Sequence, residues 1–95
     1  MIYTLNVSTV NLNGTNSNIN KNLLKDFLLA NNVDIAFLQE VVFENFHFIP
    51  SHIAVVNVGD SHLGTAFLIR KGLEFGEALF AEHGRILSIT VSKIR

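Results

Sequence analysis

Two polar residues stand where this chain could do chemistry. Glu40 closes the apolar run DIAFLQE at 34–40, and Asn11 opens NLNG at 11–14. A carboxylate held at the end of a rigid strand is a good ligand for Mg²⁺, a hard cation that prefers oxygen. An amide beside it can orient a phosphate oxygen or the carboxylate itself through hydrogen bonds. The plain alternative for Glu40 is a strand-end carboxylate reaching water, since single acidic residues seldom prove functional. Gln39 reads as a strand-end polar residue held in a hydrogen bond. Asn6 is a rival for Asn11 as the site asparagine, and the following Asn13-Gly14 and the spacing to Glu40 favour Asn11.

Bringing Asn11 and Glu40 together requires a particular order of elements. Residues 2–11 are β-branched and aromatic, with Tyr3, Leu5 and Val7 on one face, and predict a strand. Asn13-Gly14 breaks it, and a polar loop follows. A helix is expected from about Ser17 to Ala30, capped by Ser17 or Asn18, with Ile19, Leu23, Leu24, Phe27 and Leu28 on one stripe and the Leu23/Phe27/Leu28 portion packed on the sheet. Lys21, Lys25 and Asp26 face water in this reading. Asn31-Asn32 ends the helix, because asparagine tolerates the left-handed conformation. The continuous apolar run after Asp34 predicts a strand buried on both faces. Strand, helix and strand together predict parallel strands in one sheet, which carry Asn11 and Glu40 to the same carboxyl-end rim.

The remainder reads differently. VVFENFHFIPS at 41–51 is a phenylalanine-rich loop, and IAVVNV at 53–58 with GTAFLIR at 64–70 predicts a hairpin across GDSHL. LEFGEALF at 73–80 and RILSITVSKIR at 85–95 read as further strands. The fold class is therefore α/β: a βαβ unit followed by mostly antiparallel strands, in one domain over 1–95. Hydrophobic residues make up 48% and charged residues 16% of the chain, so it has a core to bury. The net charge of −1 argues mildly against a free-standing DNA-binding module. Without cysteine, disulfides and thiolate metal sites are excluded. No apolar run is long enough to cross a bilayer, and MIYTLNVSTV lacks the basic start of a signal peptide, so no membrane partner and an intracellular location, nuclear or cytoplasmic, are expected.

NLNG, the amphipathic helix and DIAFLQE in that order resemble the opening of the endonuclease/exonuclease/phosphatase superfamily. They are most similar to the apurinic-type endonuclease domains of non-LTR (LINE-type) retrotransposons, whose first strand ends in Asn followed shortly by Asn-Gly or Asp-Gly and whose second ends in Leu-Gln-Glu. GTAFLI at 64–69 and HGRILSITV at 83–91 also resemble the family's middle strands. The resemblance spans nearly the whole chain but only the N-terminal half of a family domain, a four-layer α/β sandwich. It implies a metal-dependent phosphodiesterase, a DNA endonuclease when complete, with Glu40 binding Mg²⁺ or Mn²⁺ and Asn11 touching the phosphate or a catalytic carboxylate. The family's Asp-x-Asn, tyrosine and terminal Asp-His pair have no counterpart here. The resemblance therefore implies a fragment whose metal binding is weak or absent, with DNA as partner only within a complete domain, and self-association through the C-terminal strand.

Other residues read as structural. His47, His52, His62 and His83 form no ligand pair of defined spacing and are expected to be surface or loop histidines. Arg70 and Lys71 could approach a phosphate, but a solvated strand end is the simpler reading. Gly64-Thr65 reads as a close-packed strand start. Phe43, Phe46 and Phe48 could stack on DNA, yet core packing suits a neighbourhood that is not basic better. A non-catalytic degenerate copy or interaction module that keeps half the fold is the alternative to the enzymatic reading.

Overall fold

The first strand, β1, forms over Val7–Asn11, where Val7, Thr9 and Val10 are β-branched and burial alternates. Helix α1 covers Asn18–Ala30 and is capped by the Ser17 hydroxyl, which accepts from the Asn20 amide at 3.2 Å. It stops where Asn32 turns left-handed, with φ 49°. Strand β2 spans Ile35–Val41, β3 His52–Asn57 and β4 Gly64–Arg70. The computed structural model of the chain describes residues 5–58, 63–76, 79–81, 86–88 and 91–93.

These four strands make one mixed sheet in the order β1-β2-β4-β3. β1 and β2 run parallel, as the βαβ order predicts, and β3 and β4 form the expected antiparallel hairpin. Strand pleat sorts the side chains. Val10, Ala36, Leu38, Ala54, Val56, Ala66 and Leu68 face α1 and pack with its Leu24 and Leu28. Ile35, Val55, Phe67 and Ile69 form a second cluster on the other face, joined by Leu5 and Leu73. The Phe37 and Phe67 rings lie 5.0 Å apart. β2 is thus buried on both sides, as its apolar run predicts.

Short strands complete the described residues. β5 (Glu74–Phe75) pairs antiparallel with β8 (Val91–Lys93), and β6 (Leu79–Ala81) pairs antiparallel with β7 (Ile86–Ser88). The strands expected over 73–80 and 85–95 each contribute two short segments among the described residues. Of the turn expected at GDSHL, residues 59–62 lie outside the described residues, as does His83. The architecture shown is a small α/β domain with a mixed four-stranded sheet and, among the described residues, one helix. No helix is long and apolar enough to cross a membrane among the described residues.

Two expectations are corrected. The buried stripe of α1 is Leu24 and Leu28, whereas Leu23 is 61% and Phe27 39% exposed. β1 is the last strand of the sheet, so a helix lying over β1 and β2 buries one part of a wide apolar stripe and leaves the flank beyond β1 open. The second correction concerns His52, which is buried in β3. Its Nε2 lies 2.8 Å from the Val33 carbonyl, which can only accept, so Nε2 carries the proton. In the neutral ring Nδ1 then accepts from the Ser51 hydroxyl at 2.7 Å. Both ring nitrogens are satisfied, which makes burial tolerable.

Candidate functional site

The site is built from a turn and a bulge that hold each other. Asn13 and Gly14 have φ 54° and 68°, and the Thr15 amide donates to the Leu12 carbonyl at 3.1 Å. Two successive left-handed residues inside an i to i+3 bond make a type I′ turn, for which Asn-Gly is the favoured pair. The Asn11 carboxamide oxygen accepts from the Asn13 amide at 2.8 Å, which locks the side chain at the strand end. The Leu12 amide bonds the Gln39 carbonyl at 2.9 Å, and the Gly14 amide bonds the Glu40 carbonyl at 3.0 Å. The turn after β1 is therefore stitched to the end of β2.

Glu40 is the extra residue of a β-bulge. Gln39 pairs with Thr65 and Val41 with Gly64, so β2 takes two steps where β4 takes one. Leu38 and Val41 consequently both face α1, and Glu40 is turned out of the alternation. Its φ is 55°, in the left-handed region that costs an ordinary residue about 1–2 kcal/mol. Such strain persists only where the surroundings enforce it, and it gathers at functional sites. Here the Gly14 amide fixes the Glu40 carbonyl from one side and β4 fixes the flanking residues from the other. Gly64, which pairs with Val41 just past the bulge, has no room for a side chain on its β3 side, where a Cβ would lie 2.4 Å from the Asn57 carbonyl oxygen.

The outcome is direct contact between the two expected site residues. Asn11 Nδ2 donates to Glu40 Oε2 across the β1–β2 rim. Glu40 is half-buried and Asn11 exposed, so the pair sits at the surface with one face held by backbone. Asn11 uses its oxygen on the turn and its amide on the carboxylate, which orients Glu40 without neutralising it. Oε1 of Glu40 has no protein partner among the described residues. One accessible carboxylate oxygen fits a hydrated Mg²⁺ or Mn²⁺ as a single contact, with the ion keeping most of its water. Among the described residues no group of three or more His, Cys, Asp or Glu side chains converges on one point.

Asn6 is placed at the opposite end of the sheet. Its amide donates to Asp34 Oδ2 at 2.9 Å, and its side chain donates to the Asn32 carbonyl at 3.0 Å. Arg70 belongs to the same end, with Nε 3.1 Å from Asp34 Oδ1 and a guanidinium bond of 3.3 Å to the Val33 carbonyl. This cluster closes the loop between α1 and β2. Phe43, Phe46 and Phe48 pack on the core with ring centroids 4.8–6.1 Å apart. Lys21, expected in water, covers Phe43 at 4.5 Å from its centroid.

Comparison of the chain with known protein families, curated proteins and solved structures found no match. The geometry therefore stands on its own. It also shows an alignment that sequence reading passed over. Asn11, Gln39, Thr65 and Asn57 are register partners in one row across all four strands. Gly64-Thr65 reads in sequence as a strand start, and only the register shows that Thr65 stands in line with Asn11. A cavity of about 410 Å³ opens between β1 and α1, lined by Asn11, Asn13, Asn20, Leu23 and Phe27 among others.

Proposed function

We propose that the chain carries the first half of a metal-dependent phosphodiesterase site of the endonuclease/exonuclease/phosphatase kind, closest to the endonuclease domains of non-LTR retrotransposons, which nicks DNA when complete. The observation that carries this reading is the Asn11–Glu40 contact at the carboxyl ends of two parallel strands, with Glu40 on a strained bulge. Sites in α/β sheets form at that end. In this reading Glu40 holds Mg²⁺ or Mn²⁺, and Asn11 sets the angle at which its carboxylate meets the ion. The ion supplies charge stabilisation at a phosphoryl oxygen when bound. The fold then corresponds to half of a four-layer sandwich, with the α1-free face of the sheet turned towards the other half.

A Mg²⁺ titration with a nicking assay on supercoiled plasmid tests the proposal. The account expects weak metal binding that Glu40→Gln removes, and no nicking by the chain alone, since among the described residues no base or acid stands in a defined relation to Glu40. Metal binding unaffected by Glu40→Gln would remove the site. Metal-dependent nicking abolished by that change would keep the phosphodiesterase and overturn the view that the chain is only half of it.

A further inference from the structure

The row Asn11-Gln39-Thr65-Asn57 differs from the rows behind it. The next row on the same face is Thr9-Phe37-Phe67-Val55, and the one after it is Val7-Ile35-Ile69-Ile53. An apolar face thus ends in a band of three amides and a hydroxyl, beside the bulge that presents Glu40. Within the band, Asn11 is bound to Glu40 and to the turn, and Asn57 has a partner of its own. Two members remain. The Gln39 side chain is exposed and makes no hydrogen bond among the described residues. The Thr65 hydroxyl is buried and has no partner among the described residues, in a residue only 7% exposed. A buried hydroxyl without a partner is uncommon and calls for one.

Gln39 and Thr65 are directly opposed across β2 and β4. Their Cβ atoms are then about 4.5–5.5 Å apart, within reach of a hydroxyl and a folded carboxamide. We propose that Gln39 is a second ligand-contacting residue of the rim and that Thr65 is its positioning residue. The Thr65 hydroxyl donates to Gln39 Oε1. That choice leaves the Gln39 amide hydrogens as the free donors, turned along the rim towards Glu40. Neutral donors there would take a phosphate oxygen that a lone carboxylate would repel. Gly64 keeps β4 close to β3 and so fixes where Thr65 stands. This inference rests on the phosphoester reading of the Glu40 site.

The test follows the side-chain amide signals of Asn11 and Gln39 and the backbone amide of Glu40 by NMR in the full chain, as wild type, Thr65→Val and Thr65→Ser. The probes are Mg²⁺ and inorganic phosphate. Valine keeps the shape of threonine without its hydroxyl, and serine keeps the hydroxyl. In the free protein, Thr65→Val should move and sharpen the Gln39 amide pair, while Thr65→Ser keeps it near its wild-type position. With both probes present, phosphate should shift Gln39 in wild type and Thr65→Ser. In Thr65→Val the apparent affinity should fall about fivefold, the worth of one neutral hydrogen bond. Gln39 signals identical in wild type and Thr65→Val would overturn the pairing. Phosphate shifts at Asn11 and Glu40 that leave Gln39 still would overturn its ligand role alone. No shift at Asn11, Gln39 or Glu40 would overturn the phosphoester reading as well.

Discussion

Replacing Glu40 by glycine and by alanine separates backbone strain from side-chain chemistry. Both changes delete the carboxylate and its bond to Asn11, so that loss cancels in the comparison. At φ 55° alanine keeps the left-handed cost of about 1–2 kcal/mol, and glycine does not. Glycine in turn raises the entropy of the unfolded chain, worth about 0.4–1 kcal/mol against it. The difference leaves Glu40→Gly more stable than Glu40→Ala by roughly 0.5–1 kcal/mol. At an ordinary strand position the order is reversed, with glycine worse by about 0.5–1 kcal/mol. Gln39, one residue earlier and without a left-handed backbone, supplies that control. In a domain of this size 1 kcal/mol moves Tm by about 4–8 °C, so the two Glu40 variants should melt about 2–8 °C apart, glycine higher. The assay is thermal unfolding by circular dichroism, repeated in urea. A melting order with Glu40→Ala at or above Glu40→Gly would refute the strained bulge and with it the reason Glu40 points at Asn11.

Further expectations follow from the same contacts. Asn11→Ala removes both the turn lock and the bond to Glu40, and should cost about 1–2 kcal/mol in urea unfolding, in line with two modest surface hydrogen bonds. Leu28→Ala, at 1% exposure, should cost roughly 2–5 kcal/mol, whereas Phe27→Ala, at 39% exposure, should cost much less; equal losses would mean that the packed face of α1 is misassigned. Gly64→Ala forces a Cβ to within 2.4 Å of the Asn57 carbonyl oxygen and should destabilise by at least about 1–3 kcal/mol, with the β3–β4 amides showing the largest NMR shifts. His52→Leu strips the Ser51 hydroxyl and most of the Val33 carbonyl of their partner and should cost about 1–3 kcal/mol, and a neutral result would show that water takes over both bonds.

The sequence declared the parts of this fold whose signals are local. Ser17 marks the start of α1, Asn31-Asn32 its end, and Asn13-Gly14 the turn, each through backbone chemistry that neighbours do not alter. The apolar run 35–38 announces a doubly buried strand, and the strand–helix–strand order brings Asn11 and Glu40 to one rim. What stayed hidden depends on partners distant in the chain. A strand buried on both faces has no clean alternation, so nothing in LQEV shows that Glu40 is a bulge and Val41 still strand. Which part of the α1 stripe is buried depends on β1 being the sheet's last strand, a fact of topology. Asn13-Gly14 and the spacing to Glu40 favour Asn11 over Asn6 in sequence, and the direction of β1 places the two at opposite ends of the sheet. His52 reads as a loop residue until the Val33 carbonyl and the Ser51 hydroxyl are seen on either side of its ring.

The central claim is that Glu40, oriented by Asn11, receives a divalent cation at the carboxyl-end rim. Mn²⁺ added to isotope-labelled chain tests it most directly, because the ion broadens NMR signals near where it binds. The account predicts broadening centred on residues 11–14 and 39–42 at low Mn²⁺, displaced by Mg²⁺ and lost in Glu40→Gln. Broadening centred instead on Asp34 or Glu44, or unchanged by Glu40→Gln, would contradict it.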